Sequence, residues 1–396
     1  MRLPISRKVI ENRIIQTVSL AELLRLMGRS GVWVFIPLYL LAEKDANYIE
    51  IGLLFLISAL ASIPVSIFGG NLVDKVGRRR IALTVSPVLA VLFLVMFLGI
   101  KFSLSDLFVI GTFIVFAPVA VLQSIVDSVI VTDSTGEMER IDAFSMTRIG
   151  ANIGFSLGPA IAGFAVSYNY SILPMIPMVS EIIGFFLYFR YINYNEGPPV
   201  AGKNLLSFPK NDKRFIIVSL LVSLAWFSVG PWAYILPQFL SRVDLIGYSV
   251  IGILFATNGL SVVFLQLPVN RLFYRVDEMT RIAIGLGIYA ATFAVFGLTR
   301  NEILLLINII ILTVGENIIS PASNSIIGKI APPDRRGEYY GGYSLMNNFL
   351  SPFSPLLYEA MLSYLFGEPV FLWAIIGMGC LVLALSILAT RKVWMR

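Results

Sequence analysis

The sequence predicts an all-α membrane protein, with twelve transmembrane helices in two pseudo-symmetric six-helix halves. Three observations carry that prediction. Of the 396 residues 57% are hydrophobic and 14% charged, with a mean hydropathy of +0.83, whereas about a quarter of a soluble domain is charged. The apolar residues fall into long runs, each near the ~20 residues that a helix needs to cross a bilayer. The second half of the chain also repeats the first.

A basic arm (Arg2, Arg7, Lys8, Arg13) precedes predicted helices near 14–41, 48–70, 81–101, 105–131, 143–167 and 171–192. Residues 193–213, with Gly197-Pro198-Pro199 and three lysines, read as a polar linker. Six further helices follow near 215–241, 248–271, 279–299, 302–329, 337–365 and 368–390. The chain thus divides into an N-terminal half, 1–192, a cytoplasmic linker, 193–213, and a C-terminal half, 214–396. Basic loops alternate with nearly neutral ones, which puts both termini in the cytoplasm and the helices in the cell membrane. The net charge of +6 is therefore a topology signal and not a nucleic-acid surface. The first apolar stretch is too long and too charged for a cleavable signal.

The repeat has an offset of about 200 residues. Tyr48, Ile51, Gly52, Leu54 and Phe55 correspond to Tyr248, Ile251, Gly252, Leu254 and Phe255. Trp33 and Pro37 correspond to Trp232 and Pro237 with one residue inserted. Parallel repeats of this kind build a midplane site that opens alternately to each side of the membrane.

Composition also excludes chemistry. A lone Cys380 cannot form an intrachain disulfide or a multi-cysteine metal site, and the chain has no histidine, so no His relay or Ser-His pair exists. Gly154-x-Ser156-x-Gly158 spells a nucleophile elbow, but that motif needs a strand-to-helix turn and a base. No P-loop pattern suggests ATP. Neither an enzyme nor a bound cofactor is expected.

The stretch Gly70-Asn71-Leu72-Val73-Asp74-Lys75-Val76-Gly77-Arg78-Arg79-Arg80 joins the second and third predicted helices. A plain positive-inside loop accounts for its cations but not for Asp74 or the glycine spacing. Gly-x-Leu-x-Asp-x-x-Gly-Arg-Arg resembles the signature loop of the major facilitator superfamily. The second copy, Asn270 to Asp277, keeps charge and loses the glycines. The resemblance implies that Gly70, Asp74, Lys75, Gly77, Arg78 and Arg79 belong to a cytoplasmic gate. It also implies that Asp127 receives a cation from this loop, from Arg79 or Lys75, with Arg148 as a competitor. Asp74 is expected to accept from the start of the eleventh helix, near Gly337.

The fifth predicted helix carries Gly150, Gly154 and Gly158 at spacing four, then Pro159 and Gly163. Small residues on one stripe let helices approach closely in lipid. The segment from Gly154 to Gly163 resembles the family's Gly-x-x-x-Gly-Pro-x-x-Gly-Gly motif, with Ala162 in place of one glycine. In the family that motif is enriched among drug antiporters, which favours export. Pure packing remains the other reading. Gly315-Glu316, Ala331-Pro332 and Arg336-Gly337 also look like multidrug exporters. The usual mid-helix-4 arginine of that branch is missing, since this region reads Gly111-Thr112-Phe113-Ile114.

Charge inside a membrane segment is a functional signal. The first helix carries Glu22, Arg25 and Arg29 on one face, with Arg25 expected to pair locally with Glu22. Glu316 lies mid-helix 10, and Glu181, mid-helix 6, has no assigned role. By resemblance helices 1, 4, 7 and 10 line the cavity, which makes Glu22, Arg25, Arg29, Glu316, Trp33 and Trp232 the substrate and proton site. A static ion pair is the alternative for each charge. The resulting expectation is a monomeric, proton-gradient-driven exporter of small, partly apolar compounds, with Glu316 ranked for the proton and Glu22 for substrate charge. A proton-coupled symporter of a sugar or organic anion, with Arg25 and Arg29 as anion ligands, is the rival.

Overall fold

The computed structural model describes residues 6–136, 139–192, 208–332 and 335–394. Most of the expected linker, 193–207, lies outside the described residues. The elements are α1 (Arg7–Glu11), α2 (Arg13–Glu43), α3 (Tyr48–Val76), α4 (Arg78–Lys101), α5 (Leu107–Asp133), α6 (Arg140–Tyr168), α7 (Met175–Tyr191), α8 (Lys213–Val229), α9 (Pro231–Tyr234), α10 (Leu236–Arg242), α11 (Tyr248–Leu272), α12 (Glu278–Leu298), α13 (Glu302–Ile330), α14 (Arg336–Leu350), α15 (Phe353–Tyr364) and α16 (Pro369–Trp394). A short 3-10 turn, Tyr170–Ile172, leads into α7, and no strand occurs among the described residues.

Among the described residues eleven segments are long and apolar enough to cross a membrane, with Lys213–Arg242 counting as one. The remaining expected span, the eleventh helix at 337–365, is split into α14 and α15 at Ser351 and Pro352. Proline lacks the N–H that would continue the helical ladder. The same chemistry interrupts the seventh expected helix at Gly230-Pro231 and again before Pro237. Pro37, Pro64, Pro87 and Pro118 are instead tolerated inside α2, α3, α4 and α5.

Two compact units emerge. Unit 1 comprises Met1–Asp45, Ile57–Lys203 and Gly247–Ala256, and unit 2 comprises Ala46–Leu56, Asn204–Ile246 and Thr257–Arg396. Within unit 1, α2 packs on α6 and α7, and α4 packs on α5 and α7. Within unit 2, α12 packs on α13 and α16, and α8 packs on α14 and α16.

The glycine stripe of α6 is the contact surface for α2. A Cβ at Gly150, Gly154 or Gly158 would strike the carbonyl oxygens of Ser19, Leu23 and Met27 respectively, three α2 residues also spaced by four. Without an apolar driving force between helices in lipid, such backbone contact supplies the van der Waals attraction. At Gly163 the obstruction is the carbonyl of Tyr248, whose ring packs edge-on against Phe35 and Tyr170 at 6.2 and 5.6 Å. Pro159 presents its carbonyl to Gly252 in the same unit. Ser156 is buried and donates to the carbonyl of Asn152 at 2.7 Å, so its hydroxyl serves the helix.

Candidate functional site

In unit 1 a charged cluster occupies the space between α2, α4, α5 and α7. Arg25 is 2% exposed, Asp127 2% and Glu181 0%. The Arg25 guanidinium donates from Nη1 to Asp127 Oδ2 at 2.9 Å and from Nη2 to Ser86 Oγ at 3.0 Å. Its Nε lies 3.6 Å from Glu181 Oε2. Tyr188 completes the cage: its hydroxyl donates to Asp127 Oδ1 at 2.7 Å, and Arg25 sits 4.5 Å over its ring. Gly184 makes room, because a Cβ there would stand 3.0 Å from Arg25 Nε.

One turn along α2, Arg29 donates to Glu181 and to the side-chain oxygen of Gln123. The Gln123 amide nitrogen donates in turn to Glu181 Oε2 at 3.0 Å and to Ser86 Oγ at 2.9 Å. Two guanidiniums thus face two carboxylates, with Ser86, Gln123 and Tyr188 supplying further bonds. Each buried ion has a partner, which is the condition for keeping charge out of water at tolerable cost.

This arrangement corrects several sequence expectations. Asp127 is held by Arg25, not by Arg79 or Lys75, and Arg148 is exposed. Arg25 does not pair with Glu22; it turns to α5. Glu22 is half-buried, within electrostatic reach of Asp127, Arg25 and Arg29, and is the surplus acid of the cluster. Glu181, unassigned from sequence, is its most buried member. Ser86, Gln123, Tyr188 and Gly184 were not singled out, although a glutamine within an apolar run is itself a signal.

The signature loop is tied inside unit 1. Gly77 links α3 to α4 with φ of 101°, a conformation that costs glycine nothing and other residues strain. Arg78, nearly buried, bridges Asp74 at 3.2 Å and Asp133 at 3.1 Å. Asp74 therefore takes its cation from its own loop, and Arg79 Nε donates to the carbonyl of Ile192 at 2.8 Å. Lys75 is exposed. At Gly70 a Cβ would meet nothing within 4 Å, so close approach does not explain that glycine.

In unit 2 the acid of α13 is held differently. Glu316 on α13 accepts from Asn258 Nδ2 at 3.0 Å, and the same nitrogen donates to Thr313 Oγ1 at 2.9 Å. Among the described residues no ion pair includes Glu316. Trp232 is buried in α9 of this unit. Trp33, in unit 1, stacks on Phe113 with centroids 5.7 Å apart.

The family model described as Major Facilitator Superfamily matches residues 18–355 and 246–395. An uncharacterized MFS-type transporter of Bacillus subtilis, YqjV, is 23% identical over 94% of this chain and 92% of its own length. A Na(+), Li(+), K(+)/H(+) antiporter of Planococcus maritimus is 24% identical over 79% and 81%. The quinolone resistance protein NorA of Staphylococcus aureus is 24% identical over 81% and 84%. The crystal structure of the nucleoside transporter NupG superimposes with a TM-score of 0.77 over 96% of this chain and 99% of the other, at 13% identity. At that identity the likeness concerns the fold.

Proposed function

The chain belongs to the Major Facilitator Superfamily, and on that premise we propose that it exports small, partly apolar compounds in exchange for protons by alternating access. It is an integral, multi-pass membrane transporter and not an enzyme. The observation that carries the coupling is the setting of Glu316, whose hydrogen-bond partner is the Asn258 amide. An amide can donate to a carboxylate or accept from a carboxylic acid. Glu316 can therefore gain or lose a proton without stranding a counter-charge.

Glu22, beside a cluster whose other charges are already matched, takes the substrate's positive charge in this reading. Export is supported by the α6 segment from Gly154 to Gly163 and by relatives whose names denote an antiporter and a drug-resistance protein. The rival, import of a sugar or organic anion, needs Arg25 and Arg29 as ligands, whereas both are engaged by acids in unit 1. The deciding experiment uses proteoliposomes with an imposed pH gradient and a mixed substrate panel. Wild type should accumulate substrate against its gradient, and Glu316→Gln should bind it but not accumulate it. Full accumulation by Glu316→Gln removes it as the essential carrier.

Both termini and the basic loops lie in the cytoplasm in this reading, because Lys and Arg concentrate on that side. Single cysteines at Asn47 and Asn301, on a Cys380→Ser background, should react with an impermeant thiol reagent from outside. A cysteine at Lys203 should not, and its labelling in sealed cells would reverse the topology.

A further inference from the structure

Glu359 on α15 is 0% exposed, and the transport reading gives it no task. Among the described residues its carboxyl has one hydrogen bond, accepted from the side-chain nitrogen of Gln238 on α10. That nitrogen also donates to the carbonyl of Tyr234 at 3.0 Å. Two atoms of this pair then remain buried and without a partner: Glu359 Oε2 and Gln238 Oε1. Both are oxygens. As a carboxylate and an amide carbonyl they are acceptors only, and a buried acceptor left without a donor is destabilising. A single proton resolves both at once. A carboxylic acid with its O–H on Oε2 donates to Gln238 Oε1 while its Oε1 accepts from Gln238 Nε2, giving a two-bond carboxyl–carboxamide pair.

The surroundings agree. Among the described residues Glu359 has no ion-pair partner. From α3, Gly52 presses against it, since a Cβ there would stand 3.2 Å from Glu359 Cβ. Tyr48, on the same helix, lies within its electrostatic reach and shares a cavity wall with Arg242 of α10. On α9 the Tyr234 ring turns to Phe55, and on α15 itself Tyr358 turns to Ser228.

One helical turn from the pair, in unit 2, lies a cavity of about 610 Å³ lined by Tyr48, Arg242 and Ser363 among others. These follow from the pair by helical spacing: Ser363 is Glu359 plus four, Arg242 is Gln238 plus four, and Tyr48 is Gly52 minus four. All three helices that enclose the pair thus continue into the cavity wall.

We infer that Glu359 and Gln238 form a proton-binding site, loaded in this arrangement, which exchanges its proton with water in the adjacent cavity past Tyr48 and Arg242. On release the Oε2–H bond breaks, the proton passes to a water molecule, and the carboxylate left behind keeps its bond from Gln238 Nε2, with Arg242 one helical turn beyond Gln238 on α10. This site is separate from Glu316 and does not depend on the direction or substrate of transport.

Infrared spectra of the full-length protein in lipid vesicles test it. At neutral pH the wild type should show a protonated-carboxyl C=O band that Glu359→Gln lacks, in a difference spectrum that Glu316 does not enter. Identical bands in the two proteins would mean that Glu359 is ionised and would overturn the site. Should Glu359→Gln not fold, Gln238→Leu keeps the acid and removes its acceptor, so the band should move to higher frequency; an unmoved band overturns the pairing. In D2O the band should exchange faster in Tyr48→Ala than in wild type, and equal rates would overturn the cavity as the route.

Discussion

Within unit 1 the interior acids Asp127 and Glu181 meet guanidiniums; within unit 2 the interior acids Glu316 and Glu359 meet side-chain amides. The two halves are repeats by sequence register, so the difference is one of chemistry laid on a shared scaffold. A matched ion pair is expensive to disturb, because each partner left alone is an uncompensated buried charge. A carboxyl against an amide has no such constraint, since the amide serves either protonation state. The unit 1 cluster thus fixes charge in place, whereas Glu316 and Glu359 in unit 2 stay able to change state.

The largest effect should come from breaking the unit 1 pairing. Arg25→Leu leaves Asp127 unpaired and should cost about 3–5 kcal/mol, read as a large fall in the thermal midpoint of the purified protein in detergent. Arg25→Leu with Asp127→Asn should recover much of that loss. No recovery in the double variant would mean that Arg25 acts through packing and that charge matching is the wrong description.

Next is the space that the pairing needs. Gly184→Leu would push into Arg25 Nε and should cost about 1–3 kcal/mol by overpacking. Combined with Arg25→Leu, it should cost much less than the sum, and additive losses would place the strain elsewhere.

A smaller effect belongs to unit 2, at the end of a helix. Asp277 caps α12 by accepting from the Thr280 amide at 3.0 Å and its hydroxyl at 2.6 Å. Burial pushes this carboxyl up, but the Thr280 bonds and Arg391 outweigh it and hold it below the usual carboxylate range. A depressed folded value means stability present above the unfolded pKa and lost as pH falls through the folded one. Asp277→Ala should cost about 1 kcal/mol at neutral pH. The gap to wild type should close below about pH 4, and a gap independent of pH would show that the charge contributes nothing.

The smallest stability effect is expected at Glu316→Gln, below about 1 kcal/mol, as an amide replaces an acid that has no cation partner. A loss as large as that of Arg25→Leu would erase the distinction between the units.

The α6 glycine stripe and Gly77 were legible because a missing side chain at spacing four, or in a turn, has one main structural use. Trp33 and Trp232 were legible as aromatics, but Trp33 rests on Phe113, a contact that spans two distant segments. The pairing of Arg25 was not legible. Its helical neighbour Glu22 and the distant Asp127 and Glu181 are equally acidic in sequence, and only the closeness of α2 to α5 and α7 selects among them.

By itself the sequence determined the helical class, the repeat, the signature loop and the presence of buried charge, because each depends on local composition and spacing. The tertiary structure decided the partners. It turned Arg25 and Arg29 onto Asp127 and Glu181, tied Arg78 to Asp74 and Asp133, and gave Glu316 and Glu359 amides in place of cations. Side-chain pairing between helices depends on their rotation and approach, and those follow from packing along whole helices rather than from the residues that finally meet.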